Sequence, residues 1–180
     1  MRPLSSIPNK SQTQMPPSNT VHLYLLMDTS ASMTGAGLEA LKQGVRLLSS
    51  TFSGRGGHPI LCAGITYDST ARIAFPLTPI DALHPPNDLD SGGTSALGAA
   101  LGLLKDHFAP RRPALVYIFS DGEPTDDWQR PLAALRPHVT RIIGLACGLA
   151  VNDDAFASFT DEAHWLSDLT PEALRRTLTL

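Results

Sequence analysis

Hydrophobic positions gather first into an unbroken run, Leu23 to Met27 with Tyr24 inside it, which stops at Asp28. A run without alternation suits a central parallel strand covered on both faces. From Leu38 the spacing changes. Leu38, Leu41, Val45, Leu48 and Phe52 recur at intervals of three and four, which predicts one face of a helix, introduced by Gly35 and Gly37 and ended by Gly54, Gly56 and Gly57. Pro59 to Tyr67 and Ala71 to Phe75 read as two strands. The turn between them, Asp68, Ser69 and Thr70, is short enough to make an antiparallel hairpin. Pro76 to Asp90 carries four prolines and little periodicity, and is expected as an irregular loop.

A second helix follows, with Thr94 or Ser95 as N-cap and Leu97, Leu101, Leu104 and Phe108 as its apolar stripe. Ala114 to Phe119 is another buried run, ended by Ser120, Asp121 and Gly122. Asp126 is placed to cap a helix reaching about Arg136, and Val139 to Cys147 reads as a strand ending at Gly148. Asn152 should cap a short helix carrying Phe156 and Phe159, and His164 to Leu166 should form a short edge strand. Thr170 followed by Pro171 suits the start of a last helix. Strands alternating with helices imply an α/β fold: a doubly wound, mostly parallel central sheet with one antiparallel edge strand and helices on both faces. Residues 1–20 are rich in Pro, Ser, Gln and Asn, cannot offset the cost of ordering and are expected as a flexible tail, leaving 21–180 as one domain.

Composition narrows the partners. Charged residues are 17% of the chain and the formal net charge is −3, so no basic field calls for nucleic acid or an anionic membrane. No apolar stretch approaches the ~18 residues of a membrane span. The N-terminus lacks the apolar core of a secretory signal, and the expected location is cytoplasmic. Cys62 and Cys147 both sit within apolar runs, as free buried thiols do.

The chemistry lies where apolar runs stop. Asp28, Ser30 and Ser32 follow the first strand, Thr94 sits in a Gly-rich loop, and Asp121 follows the strand that begins at Ala114. In open α/β sheets ligands collect at such strand ends. All five residues offer oxygen, the donor preferred by a hard cation, with Mg²⁺ favoured and Mn²⁺ or Ca²⁺ as alternatives. Two carboxylates would neutralise a divalent ion, and about six coordination positions would leave one for an acidic group from elsewhere.

A nucleotide-binding protein is the strongest rival. Gly35, Gly37 and Ala40 match a dinucleotide fingerprint at a helix start, with Asp68 ending the next strand, but Asp28 to Thr34 intervene where the first glycine should follow the strand at once. A Mg²⁺-dependent phosphoryl-transfer enzyme would want a second acid two residues after Asp28, where Ser30 stands. Ser120 lacks the elbow of a hydrolase nucleophile. His22, His58, His84, His107, His138 and His164 are scattered, so binding is favoured over catalysis and the chain is not expected to be an enzyme. Glu123, Thr125, Asp126 and Asp127 read as loop rim and helix cap, and Thr29, Thr34 and Ser95 as caps and turns.

Asp28-Thr29-Ser30-Ala31-Ser32, Thr94 after Gly92-Gly93, and Ser120-Asp121-Gly122 together resemble the metal-ion-dependent adhesion site of von Willebrand factor type A domains, a likeness running from about Val21 to Leu180. The resemblance implies that Ser30, Ser32 and Thr94 coordinate metal directly, with Asp28 and Asp121 acting directly or through water. It implies a Rossmann-like sheet with the opening strand beside the fourth and the hairpin strand at one edge. Cys62 and Cys147 would then lie three strands apart, roughly 14 Å at ordinary strand spacing and too far for a disulfide. It also implies a protein partner that supplies Asp or Glu to the metal. The phrases YLLMDTSASMTG, GGTSALGAALGLL and FSDGEPTDDW are similar to the bacterial branch associated with tellurium resistance and stress operons, which implies an adaptor or a phosphorylation target with protein kinase and phosphatase partners. Asp28→Ala is expected to abolish metal-dependent binding and leave the fold intact.

Overall fold

A computed structural model describes residues 19–54, 58–111, 113–148 and 151–178. Most of the 1–20 segment, together with Gly56 and Gly57, lies outside the described residues. Six strands, β1 (Val21–Asp28), β2 (Ile60–Tyr67), β3 (Ala71–Pro79), β4 (Ala114–Ser120), β5 (Arg141–Ala146) and β6 (Glu162–Trp165), form one sheet in the order β3-β2-β1-β4-β5-β6. All neighbours run parallel except β2 and β3, which form the antiparallel hairpin at one edge.

The unbroken apolar run of β1 has a direct cause. Leu23, Leu25 and Met27 pack on one face against α1 (Ala36–Phe52), through Leu41, Val45, Leu48 and Phe52, and against α5 (Pro171–Thr177) through Leu174. Tyr24 and Leu26 pack on the other face with α2 (Leu97–Leu103), α3 (Gln129–Leu135) and α4 (Asp153–Phe159). With both faces covered, alternation disappears. The reversal of order between β2-β1 and β4-β5 makes the β1/β4 junction the switch point, where the two strand ends open a crevice. Cys62 and Cys147 are buried free thiols, with β1 and β4 standing between β2 and β5.

Several boundaries differ from expectation. Strand β3 continues to Pro79 and a 3-10 turn, Ile80–Ala82, follows, so only the later part of the Pro76 to Asp90 stretch is irregular. The register with β2 shifts between Cys62 and Ile65, leaving Pro76 without a ladder partner on an edge strand, where a missing N–H is tolerated. Strand β5 is shorter than the expected Val139 to Cys147 because the chain first closes a 3-10 turn, Arg136–His138. The edge strand begins two residues early, at Glu162.

Neither Thr94 nor Ser95 caps α2. Its N-cap is Ala96, without a side-chain bond, and the first-turn amides Gly98 N–H and Ala99 N–H donate to the Asp126 carboxylate at 2.8 and 3.0 Å. Asp126 therefore caps a helix that precedes it by nearly thirty residues, and α3 begins at Gln129 with no side-chain cap. Glycine at 98 permits the approach, since a Cβ there would stand 2.3 Å from the Asp127 carbonyl oxygen. The last turn of this region, Leu104–Phe108, widens into a π-helix that Ala109 ends with φ 43°. Asn152 and Thr170 cap α4 and α5 as expected, accepting from Ala155 N–H and Ala173 N–H.

Candidate metal centre

Asp28 ends β1 on the α2 side of the sheet and is fully buried. Its Oδ1 accepts from Ser30 N–H at 2.8 Å, and its Oδ2 accepts from Ser95 Oγ at 2.8 Å and from Ser120 Oγ at 2.7 Å. One carboxylate thus ties together the three segments that the sequence singled out. Burial pushes the Asp28 carboxyl above the ordinary carboxylate range, while the bonds from Ser30, Ser120 and Ser95 pull the other way.

Backbone bonds complete the junction. Gly92 N–H donates to Thr29 O at 2.9 Å and Ala31 N–H to Gly93 O at 3.1 Å, stitching the loop after β1 to the loop before α2. Gly93 takes φ 69°, a left-handed value that glycine adopts without strain. Ser30 occupies the N-cap position of a 3-10 turn, Ala31–Met33, yet its hydroxyl makes no cap bond and instead meets Ser32 Oγ at 3.1 Å. Thr94 is brought alongside through its backbone, but its hydroxyl donates to Ser69 Oγ at 3.3 Å, and among the described residues no hydrogen bond joins it to the other four. Asp28, Ser30 and Asp121 are buried, while Ser32 and Thr94 are exposed at the rim.

Asp121 is 6% exposed and its Oδ1 has no hydrogen-bond partner among the described residues. A buried carboxylate oxygen without a partner is costly and calls for an explanation, an ion being one of the few available. Among the described residues no group of three or more His, Cys, Asp or Glu side chains gathers so as to hold a metal. A cation here would need neutral oxygens beside the carboxylates, and the set Asp28, Ser30, Ser32, Thr94 and Asp121 offers the oxygen donors that suit a hard divalent ion.

Two supporting residues were missed by sequence reasoning. Ser95 read as a cap or turn residue and Ser120 as a failed nucleophile, yet both donate to Asp28. Thr125 locks Ser95 from the other side, its N–H donating to Ser95 O at 2.7 Å and its Oγ1 accepting from Ser95 N–H at 3.2 Å. The signal was present in the hydroxyl neighbours of both motif residues, Thr94-Ser95 and Ser120-Asp121. Thr29 and Thr34 play the expected turn roles, donating to Tyr67 O and Ala31 O.

The nucleotide fingerprint dissolves in three dimensions. Gly37 packs on Met33, where a Cβ would stand 3.2 Å from Sδ, rather than opening toward a phosphate. Asp68 is paired with Arg72 and bonded to Thr70 N–H, closing the hairpin turn. The histidine contacts lie elsewhere, with His22 against Tyr24, His84 on Ala82 O, His107 beside Phe108 and His164 near Glu162.

Solved structures share this architecture. The manganese-loaded TRAP protein of Plasmodium vivax aligns with TM-score 0.64 at 19% identity, covering 86% of this chain and 74% of that one. Proximal thread matrix protein 1 from the mussel byssus, with a zinc-occupied metal-ion-dependent adhesion motif, aligns with TM-score 0.59 at 14% identity, covering 88% of this chain and 46% of that one. A von Willebrand factor type A protein from Catenulispora acidiphila aligns with TM-score 0.64 at 18% identity, covering 89% and 41%. This chain spans less than half the length of the last two. At these identities the likeness is one of fold. No curated protein matches the chain. Residues 22–173 match the profile described as von Willebrand factor type A domain, and the chain belongs to that family.

Proposed function

We propose that this domain is a metal-dependent protein-binding module in which Asp28, Ser30, Ser32, Thr94 and Asp121 hold a divalent cation that engages an acidic side chain of a partner protein. The unpartnered, buried Asp121 Oδ1 carries the reading, because it stands in an all-oxygen junction and lacks the neighbour that a cation would be. Metal-loaded relatives of the same fold, one with manganese and one with zinc, support a divalent ion. Mg²⁺ is our first choice because the donors are all hard oxygens, with Mn²⁺ or Ca²⁺ acceptable to the same set. When bound, the ion supplies an open coordination position for a carboxylate.

The chain's own residues do the rest. Ser95 and Ser120 hold Asp28 inward, and Asp28 fixes the Ser30 amide, so the rim hydroxyls are presented from a braced loop. We read the site as binding rather than catalytic, since the polar groups around Asp28 are hydroxyls and amides with no histidine among them. Among the described residues no helix is long and apolar enough to cross a membrane. The setting we propose, an adaptor between a protein kinase and a phosphatase in a tellurium-resistance or stress operon, rests on the likeness of three sequence phrases alone.

Calorimetric titration of Mg²⁺, Mn²⁺ and Ca²⁺ into metal-free protein tests the centre. Saturable binding that disappears in Asp121→Ala is the expected result. Binding retained at full strength in that variant would place the ion elsewhere and sink this assignment.

A further inference from the structure

Among the described residues, four buried side-chain atoms have no hydrogen-bond partner. Two of them, Glu162 Oε1 and His164 Nε2, sit together on β6 with charged groups within 4 Å. The other two are Asp121 Oδ1 and the Tyr67 hydroxyl, and they lie in one neighbourhood. Tyr67 is the register partner of Asp28 across the parallel β1/β2 pair, and its carbonyl accepts from both Thr29 N–H and Thr29 Oγ1. Paired residues in adjacent strands project to the same face of a sheet. The Tyr67 side chain therefore enters the α2 side beside Asp28, where it is fully buried. Burial foremost, and then the nearby Asp28 and Asp121 carboxylates, hold its phenol well above the ordinary range.

The other tyrosines show what is missing. Tyr117 OH meets Thr177 Oγ1 at 2.6 Å and Tyr24 OH meets His22 Nδ1 at 3.3 Å. Ser120 stands close enough to Tyr67 to favour its ionised form slightly, but Ser120 Oγ already donates to Asp28 and accepts from Gly122 N–H at 3.0 Å, and no hydrogen bond of acceptable geometry joins it to the phenol. A phenylalanine would fill the same space without a stranded donor. A buried hydroxyl without a partner, in the same neighbourhood as a buried carboxylate oxygen without one, is a costly arrangement that calls for an explanation.

Building on the metal centre argued above, we propose that Tyr67 is a positioning residue of that centre, whose hydroxyl, without a hydrogen-bond partner among the described residues, is paired through the Ser120–Asp121 segment when the cation is bound. The hydroxyl would then favour the loaded state alone. Its removal should weaken metal affinity without weakening the metal-free fold.

The test is Tyr67→Phe, measured by Mn²⁺ and Mg²⁺ titration, by metal-free Tm and by near-ultraviolet difference absorbance on loading. The expected result is about a tenfold loss of affinity, the size of one buried hydrogen bond. The metal-free Tm should be equal or higher, and the tyrosine difference band of the wild-type chain should vanish. Equal affinity in variant and wild type would overturn the inference while leaving the metal centre standing. A metal-free Tm lowered in step with affinity would overturn it too, by showing that the hydroxyl is already bonded before loading. Absence of binding in the wild-type chain would remove the metal reading itself, and this inference with it.

Discussion

Asp28 and Asp121 end neighbouring strands, are buried to a similar degree and are held in opposite ways. Asp28 accepts hydrogen bonds at both oxygens from the loop after β1, the loop before α2 and the last residue of β4. Asp121 keeps one oxygen bare, and its segment is fixed through the backbone instead, with Asn152 N–H donating to Asp121 O at 3.0 Å. The first carboxylate is thus a keystone of the junction, and the second, in the function proposed above, is an acceptor for the cation. Motif matching treats the two alike. Their hydrogen-bond environments separate them, and so should their variants.

The largest effect on the metal-free fold should come from Asp28→Ala. It strands Ser30 N–H, Ser95 Oγ and Ser120 Oγ in a buried junction, at about 1–3 kcal/mol for each group that finds no new partner. The hydroxyls can rotate, and loss of a desolvated carboxylate returns part of the cost, so a net loss of about 2–3 kcal/mol is expected. That corresponds to a Tm lower by about 4–12 °C in a domain of this size. The chain should still fold, because both apolar layers are untouched. A metal-free Tm equal to the wild-type value would refute the keystone role.

The layers of the fold were legible because burial on two faces leaves a mark: continuous apolar runs in β1 and β4, and three-four spacing in α1. The three motif segments were legible because oxygen donors stand out where those runs stop. What the sequence hid were bonds between residues distant along the chain. Asp126 caps α2 across an intervening strand, and local reading assigned it to the helix just ahead. Ser95 and Ser120 act 67 and 92 residues from Asp28, and no local pattern distinguishes them from turn residues. Tyr67 looked like the apolar end of a strand, since a phenol and a phenyl ring fit the same pattern.

Asp126 offers an intermediate case, a carboxylate whose partners are a helix end rather than the loops around Asp28. Asp126→Ala removes the acceptor of two first-turn amides of α2 and should cost about 1 kcal/mol, as loss of an N-cap does. A thermal melt should fall by about 2–4 °C. Metal affinity should be unchanged, because the five proposed ligands keep their contacts. A matched loss of affinity would show that α2 and the metal centre are one cooperative unit, and the contrast between the two carboxylates would have to be redrawn around Ser95, which adjoins both.

The smallest effect on the metal-free fold, and the sharpest contrast, belongs to Asp121→Ala. The variant deletes an oxygen that has no partner, so no donor is stranded and the metal-free Tm should move little, or rise. Saturating metal should then separate the proteins. A ligand at about a hundred times its Kd stabilises the chain that binds it by about 2.7 kcal/mol. Wild-type Tm should accordingly climb by about 5–11 °C on loading, with no climb in the variant. Asp28→Ala should lose both the metal-free stability and the climb, whereas Asp121→Ala should lose the climb alone. If Asp121→Ala lowered the metal-free Tm as far as Asp28→Ala does, Asp121 would be a second structural carboxylate, and its bare oxygen would no longer point to an ion.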